Sequence, residues 1–254
     1  MTPPPLLPLD VHTCVDAGAR DHNEDDLRIG AGGELAWAVL SDGAGGHSRG
    51  DEASRRVVTT VDEAMRRAVA AGEGLSAARL GDAIEQAHAR LNAEQANLQG
   101  RRRMHATVVA LCLDRARSEV VWAHVGDSRL YRLRDGVAVA LTRDDSLVQQ
   151  MVDAGYLTAE AAQHHPRKNQ LLCALGGAEP IEVHVAEAPL PVRAGDAFLL
   201  CSDGWWDVVT PEAIARTRRH ALDAADWVHR MRSLILEANE SNQDNYSAVV
   251  MIVG

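Results

Sequence analysis

No stretch of this 254-residue chain stays apolar for long: the longest clean runs, such as VVALCL at 108–113, have the length of a strand. A helix needs roughly 18 or more such residues to cross a bilayer, so no membrane span is expected. The opening MTPPPLLPLD has no basic start and too many prolines for a secretory leader, which sets the expected location in the cytoplasm. Cysteine is sparse. Cys14, Cys112, Cys173 and Cys201 have no Cys-x-x-Cys spacing and read as reduced, structural thiols rather than a zinc or redox motif. Positive charge is in deficit, with 26 Lys and Arg against 36 Asp and Glu and a net charge of -10, which excludes a nucleic-acid partner because a phosphate backbone demands a basic face. The local exception, Arg101-Arg102-Arg103, has no aromatics among its arginines to stack on bases and reads as a solvated loop. There is no tandem repeat.

What is present is ordinary for a globular domain: 46% hydrophobic and 24% charged residues. The expected organisation is a loose proline-rich lead over 1–8 and one domain over 9–254, acting as a monomer. Strand patterns occur at 11–15 and 35–41. Apolar residues at helical spacing predict helices over 50–71 and 76–98, with Gly100 ending the second. Residues 105–142 read as successive strands, with Arg134-Asp135-Gly136 supplying a hairpin turn. The segment 144–177 breaks the pattern, with two short helical pieces, a break at Gly155 and the loop HHPRKNQ, and reads as an inserted flap facing solvent. Strands resume at 181–187 and 196–202, helices at 211–219 and 223–239, and a last strand at 245–253. Strands grouped together and helices in pairs indicate an α+β fold rather than a repeating βαβ order.

Two apolar runs end in the same three residues, VLSDGAGGH at 39–47 and FLLCSDGWWD at 198–207. Further carboxylates sit at a turn in RDHNED, 20–25, and just before the final strand in NQDNYSAVV, 242–250. One aspartate alone is a common turn or cap residue. Four segments that could bring Asp25, Asp42, Asp203 and Asp244 to one end of a sheet suggest instead a shared site for a hard cation, since magnesium and manganese take oxygen ligands and keep several waters. Gly43 and Gly204, lacking a Cβ, would let the backbone turn sharply and a carbonyl approach an ion.

In this order, RDHNED, VLSDGAGGH, AHVGDSRLYRLRDG (123–136), LLCSDGWWDVV (199–209) and NQDNYSAVV resemble the motif series of bacterial PP2C-type (PPM family) metal-dependent protein serine/threonine phosphatases, over about residues 11–252. The resemblance implies a central sandwich of two antiparallel β-sheets flanked by paired α-helices. It implies two Mn2+ or Mg2+ ions that ready a water for in-line attack on phosphorus, without a covalent phosphoenzyme. Asp42 would bridge the ions, Gly43 would offer its carbonyl, and Asp203 and Asp244 would complete one shell. Asp25, with Glu24 as an auxiliary, would act directly or through water. Arg20 would grip the substrate phosphate with its planar fork, and Asp127 would belong to a third, weaker metal site beside the flap. The implied partners are phosphorylated proteins and a cognate serine/threonine kinase.

Two departures stand out. Ala44 occupies the place of a histidine that animal relatives carry after the metal-binding Asp-Gly, so no general acid transfers, and His47 is left as an auxiliary candidate. MHATVVAL at 104–111 keeps only Thr107 of the family's Gly-Thr-Thr, which predicts altered packing beneath the site. Two other readings remain: a catalytically weak phosphoprotein-binding member of the same fold, and a serine hydrolase using Ser48 in GHSRG, a Gly-x-Ser-x-Gly match that lies too far past its strand for a nucleophile elbow.

Overall fold

The apolar periods resolve into two facing sheets in the computed structural model, which describes residues 6–45, 49–98, 100, 103–238 and 240–254. The first sheet has the order β1-β12-β11-β7-β8, formed by β1 (Leu9–Asp16), β12 (Tyr246–Val253), β11 (Ala197–Cys201), β7 (Arg129–Arg134) and β8 (Val137–Ala140). The second has the order β10-β6-β5-β3-β2, formed by β10 (Leu190–Pro191), β6 (Glu119–Val125), β5 (Val108–Asp114), β3 (Leu35–Gly45) and β2 (Asp25–Gly32). Two short strands extend it, β4 (Met104–Ala106) on β3 and β9 (His184–Val185) on β6. All these pairings are antiparallel.

Because successive strand residues point to opposite faces, each sheet buries two apolar sets. Ala38, Leu40, Val109 and Leu111 of the second sheet meet Phe198, Leu200, Val249 and Met251 of the first. The alternate set, including Trp37, Val39, Ala110 and Cys112, packs under α1 (Gly50–Ala70) and α2 (Ala77–Glu94). On the far side Leu199, Cys201, Ala248 and Val250 pack under α6 (Pro211–His220) and α7 (Ala224–Ala238). The result is the sandwich with paired outer helices that the motif series implies.

The helices start and stop for local reasons. α2 begins at Ser76, whose hydroxyl accepts the Arg79 N–H, and α6 begins at Thr210 followed by Pro211 and ends in Arg218, Arg219 and His220. α2 ends at Glu94 rather than 98, because the buried Gln95 amide accepts the Met104 N–H at 2.7 Å and donates to the Met104 carbonyl at 3.1 Å, which turns the chain back into β4. Asp135 and Gly136 take φ of 53° and 75°, the left-handed pair that a two-residue hairpin turn requires.

Four expectations shift. β2 was not anticipated, and the strand read at 181–187 shrinks to β9, its place along β6 being shared with β10. The lead is tied down at its end, where Leu7 donates to the Arg115 carbonyl at 3.0 Å and the Pro8 carbonyl accepts from Gly254 at 3.0 Å. The flap contains α3 (Leu147–Asp153) and α4 (Ala159–Gln163), with Gly155 at φ 74° between them, but it does not simply face solvent. It returns across the open end of the sandwich, and its last stretch joins β4 through the Ala106–Leu175 bridge.

Candidate metal and phosphate site

The carboxylates meet at one end of the sandwich, where Asp42, Asp127, Asp203 and Asp244 line a common cleft. Asp42 does not end its strand as expected. It lies inside β3, where that strand leaves β5 after Leu40 and takes up β4 at Gly43. Thr107, the residue between β4 and β5, holds this bend: its N–H donates to the Asp42 carbonyl at 2.8 Å and its hydroxyl accepts the Asp42 N–H at 3.1 Å. Asp25 is the register partner of Asp42 across β2 and β3. Asp203 is the first residue of α5 (Asp203–Trp206), a single turn that follows β11 directly. Asp244 precedes β12, and Asp127 follows β6.

The two glycines are required by space rather than by a turn. A Cβ on Gly43 would sit 2.0 Å from the Gly50 carbonyl oxygen and 2.7 Å from that of Glu24, and one on Gly204 would sit 2.2 Å from the Asn245 carbonyl oxygen. Neither takes a positive φ. Backbone from separate segments therefore comes into contact beside the carboxylates.

The cleft has a volume of about 620 Å³ and is lined by Arg20, Glu24, Asp42, Gly43, Asp127, Asp203 and Asp244 among others. Asp25 lies buried behind it; one carboxylate oxygen accepts from Ser202 Oγ at 2.8 Å, and the other, Oδ1, is buried with no hydrogen-bond partner. Burial pushes the Asp25 carboxyl up to about 6 and Asp203 up to about 7, with Asp244 adding to both by charge. Asp42 is held well above the carboxylate range by burial and then by the charges of Asp25, Asp203, Asp127 and Asp244. Burial and Asp203 do the same to Asp127. Five carboxylates thus gather in one low-dielectric cleft and repel one another.

Among the described residues, Arg20 is the only cationic side chain hydrogen-bonded to any of the five, through Asp244 Oδ2 at 2.7 Å. Crowded acidic groups with a buried orphan oxygen are what a divalent cation would relieve, and all-oxygen donors suit magnesium or manganese. Among the described residues no three His, Cys, Asp or Glu side chains are gathered into a ready-made cage. The fit rests on the mutual charge, the orphan oxygen and the donor type.

Glu24 stands at the edge. Its carboxylate accepts the Gly50 N–H at 3.1 Å, capping α1 from a distant segment where the N-cap residue Arg49 makes no side-chain cap bond, and burial holds its carboxyl above the ordinary value. His47 and Ser48 lie outside the described residues.

Several residues that support the site were not singled out in the sequence. Asn245 is buried and stitches the 17–24 turn: its Oδ1 accepts the Glu24 N–H at 2.8 Å, and its Nδ2 donates to the Ala17 and His22 carbonyls, each at 2.9 Å. Ser202 joins Asp25 to β12 by accepting the Ser247 N–H at 2.9 Å. Asp145 accepts the Gly126 N–H at 2.8 Å, beside Asp127, and pairs with His184 at 2.8 Å. Trp206 donates its indole N–H to the Asp127 carbonyl at 2.9 Å and carries the Arg129 guanidinium 3.6 Å from its ring centre. The flap reaches the cleft through Asn169 Nδ2, 3.2 Å from Asp203 Oδ2, and through Lys168, paired with Asp207 at 2.7 Å.

Comparison with known proteins agrees with this geometry. The protein phosphatase 2C family profile matches residues 17–245. The serine/threonine protein phosphatase PstP of Mycobacterium tuberculosis is 34% identical over 237 residues, which is 91% of this chain but 42% of that protein, so the chain spans less than half of that relative's length. The serine/threonine phosphatase stp of Listeria innocua is 36% identical over 219 residues, 82% of each chain. Among solved structures, M. tuberculosis PstP superposes with a TM-score of 0.83 at 32% identity, covering 97% of this chain and 99% of that one. The catalytic domain of PstP in complex with two manganese ions superposes with a TM-score of 0.77 at 32% identity, covering 98% of this chain and 99% of that one.

Proposed function

The chain belongs to the protein phosphatase 2C family, and from that premise we propose that it hydrolyses phosphoserine and phosphothreonine in proteins, opposing a serine/threonine kinase. The observation that carries the reading is the carboxylate-lined cleft with one cationic side chain among its lining: Asp42, Asp127, Asp203 and Asp244 on its wall, Asp25 buried behind them, and Arg20 on Asp244. Asp42, the Gly43 carbonyl, Asp203 and Asp244 would hold two divalent ions, manganese or magnesium, with Asp25 and Glu24 acting directly or through water and Asp127 holding a third, weaker one. When bound, the ions would supply an activated water and offset charge on the phosphoryl oxygens.

The remaining work falls to the chain itself. Arg20 is exposed and already oriented by Asp244, so its fork can turn from that carboxylate to two oxygens of an arriving phosphate. Thr107 and Ser202 fix Asp42 and Asp25 on sheet backbone, which keeps the acidic groups in place better than a loop would. Ala44 has no proton to give, so no side chain in its position can act as the general acid toward the leaving alkoxide. We take 9–254 as one catalytic domain acting as a monomer. Four free thiols fit a reducing cytoplasm.

Turnover of p-nitrophenyl phosphate tests the reading. It is expected to vanish in excess chelator and return with manganese, and a serine-directed fluorophosphonate is expected to leave the protein unlabelled. Undiminished turnover in chelator would end the metal reading. Labelling, with loss of activity in Ser48→Ala, would favour the hydrolase alternative. Manganese binding without turnover would favour the phosphoprotein-binding one.

A further inference from the structure

A second cavity, of about 520 Å³, opens beside the acidic cleft and shares Ala44, Asn169 and Leu171 with its wall. Its chemistry is the opposite. Leu171, Leu172, Pro180 and Ile181 line it, and its ionisable groups are His105, Cys173 and Glu179. Burial and the Arg103 guanidinium hold His105 below the ordinary imidazole range, and burial pushes the Cys173 thiol up, so both are neutral near pH 7. Leu172 is 51% exposed at this cavity, beside the apolar Leu171, Pro180 and Ile181 of the same wall.

The cavity is built rather than left by a loose loop. One wall is pinned by Leu172 donating to the Asp145 carbonyl at 2.8 Å, and by the paired Ala106 and Leu175 backbones at 3.1 and 2.9 Å. The wall facing the cleft is held by Asn169 on Asp203 and Lys168 on Asp207. Ala44, Asn169 and Leu171 form the wall common to both cavities, and extended chain advances about 3.3 Å per residue, so a few residues span from one to the other.

We propose that this second cavity is a substrate subsite that takes an apolar side chain about two or three residues from the phosphorylated residue of a protein substrate. The inference rests on the phosphatase reading and deepens it: the acidic cleft selects the phosphoryl group, and the apolar cavity selects among phosphoproteins. The acidic wall residue is Glu179, beside a cleft full of carboxylates, so acidic flanking residues are disfavoured at the same place.

The test compares two substrates on the manganese-loaded enzyme. One is p-nitrophenyl phosphate, which fills only the cleft. The other is a pair of phosphothreonine peptides that differ in having leucines or serines at the second and third positions on either side. Parent enzyme is expected to favour the leucine peptide by roughly tenfold in kcat/KM, the scale of one well-buried apolar group. Leu172→Asp and Pro180→Asp are expected to abolish that preference while leaving p-nitrophenyl phosphate turnover within about twofold of the parent; Leu172 and Pro180 line the second cavity and not the cleft. An active parent that does not discriminate the peptides, or variants that keep the preference, overturns the subsite alone. Equal losses on both substrates overturn it as well, since they report damage to the shared cleft. A parent inactive on every substrate overturns the phosphatase reading and the subsite with it.

Discussion

Replacing Asn245 with alanine should damage the phosphate end of the cleft without touching a carboxylate. The side chain is buried and makes three hydrogen bonds, one to the Glu24 N–H and two to the carbonyls of Ala17 and His22. At about 1 kcal/mol net for each, their loss costs about 3 kcal/mol, with the lower end of the range favoured because the 17–24 turn borders the cleft and can regain water. For a domain of this size each kcal/mol moves the melting temperature by roughly 2–4 °C, which predicts a fall of about 6–12 °C. The same turn carries Arg20 and Glu24, so loosening it should raise KM, and the carboxylates on the sheets should still bind metal. Thermal denaturation in chelator isolates the stability effect, and p-nitrophenyl phosphate kinetics at saturating manganese isolates the positional one. A variant that melts within about 2 °C of the parent with an unchanged KM would refute the claim that Asn245 holds the turn, at the scale just derived.

Arg20→Ala removes a charge-assisted phosphate contact on the order of 1.5–3 kcal/mol, which predicts a rise in KM of roughly ten- to a hundredfold and little change in metal affinity; parent-like kinetics would make Arg20 a surface residue. Asp127→Ala should keep two tightly bound ions and a near-normal melting temperature while losing turnover, most of all on a phosphopeptide, as calorimetric metal titration beside kinetics would reveal; loss of the tight ions would contradict a separate third site. Asp25 and Asp203, pushed up to about 6 and about 7 from an ordinary 3.8, hold protons in the metal-free fold that the unfolded chain releases. Metal-free stability should therefore be fully present below about pH 4 and decline as pH rises toward 7, and manganese affinity should tighten over the same window as the ion displaces those protons. Chelator melts and manganese titrations at several pH values read both slopes, and slopes of the opposite sign would contradict the assignment.

The sequence made visible whatever depends on period or residue type. α1 and the strands β5, β6 and β7 announce themselves because each buries apolar residues in the core, and the carboxylates because only oxygen-bearing residues suit a hard cation. β2 escaped notice because it lies at the edge of its sheet and carries two glycines in DDLRIGAG, so neither alternation nor propensity marks it. The bonds beneath the site escaped for another reason. Thr107 was singled out by its motif, but not as the partner of Asp42 65 positions away; Ser202 meets Asp25 across 177 positions and Asn245 meets Glu24 across 221, and no local pattern reports such bonds. The flap read as a solvent-facing insertion because polar loop residues have no period, yet Asn169 and Lys168 bring it onto the cleft. At Gly43 and Gly204 the sharp turn read from the missing Cβ is not what the backbone shows: neither takes a positive φ, and close backbone approach excludes a side chain there.

The most direct measurement is phosphate release from a phosphothreonine peptide by the parent and by Asp42→Ala, each with chelator and with saturating manganese. Release is expected from the parent with manganese alone, and near-background release from the variant under both conditions although it remains folded by circular dichroism. Release by the parent in chelator, or by a folded Asp42→Ala at the parent's rate, would contradict the claim that this cleft is the catalytic centre of a metal-dependent protein phosphatase.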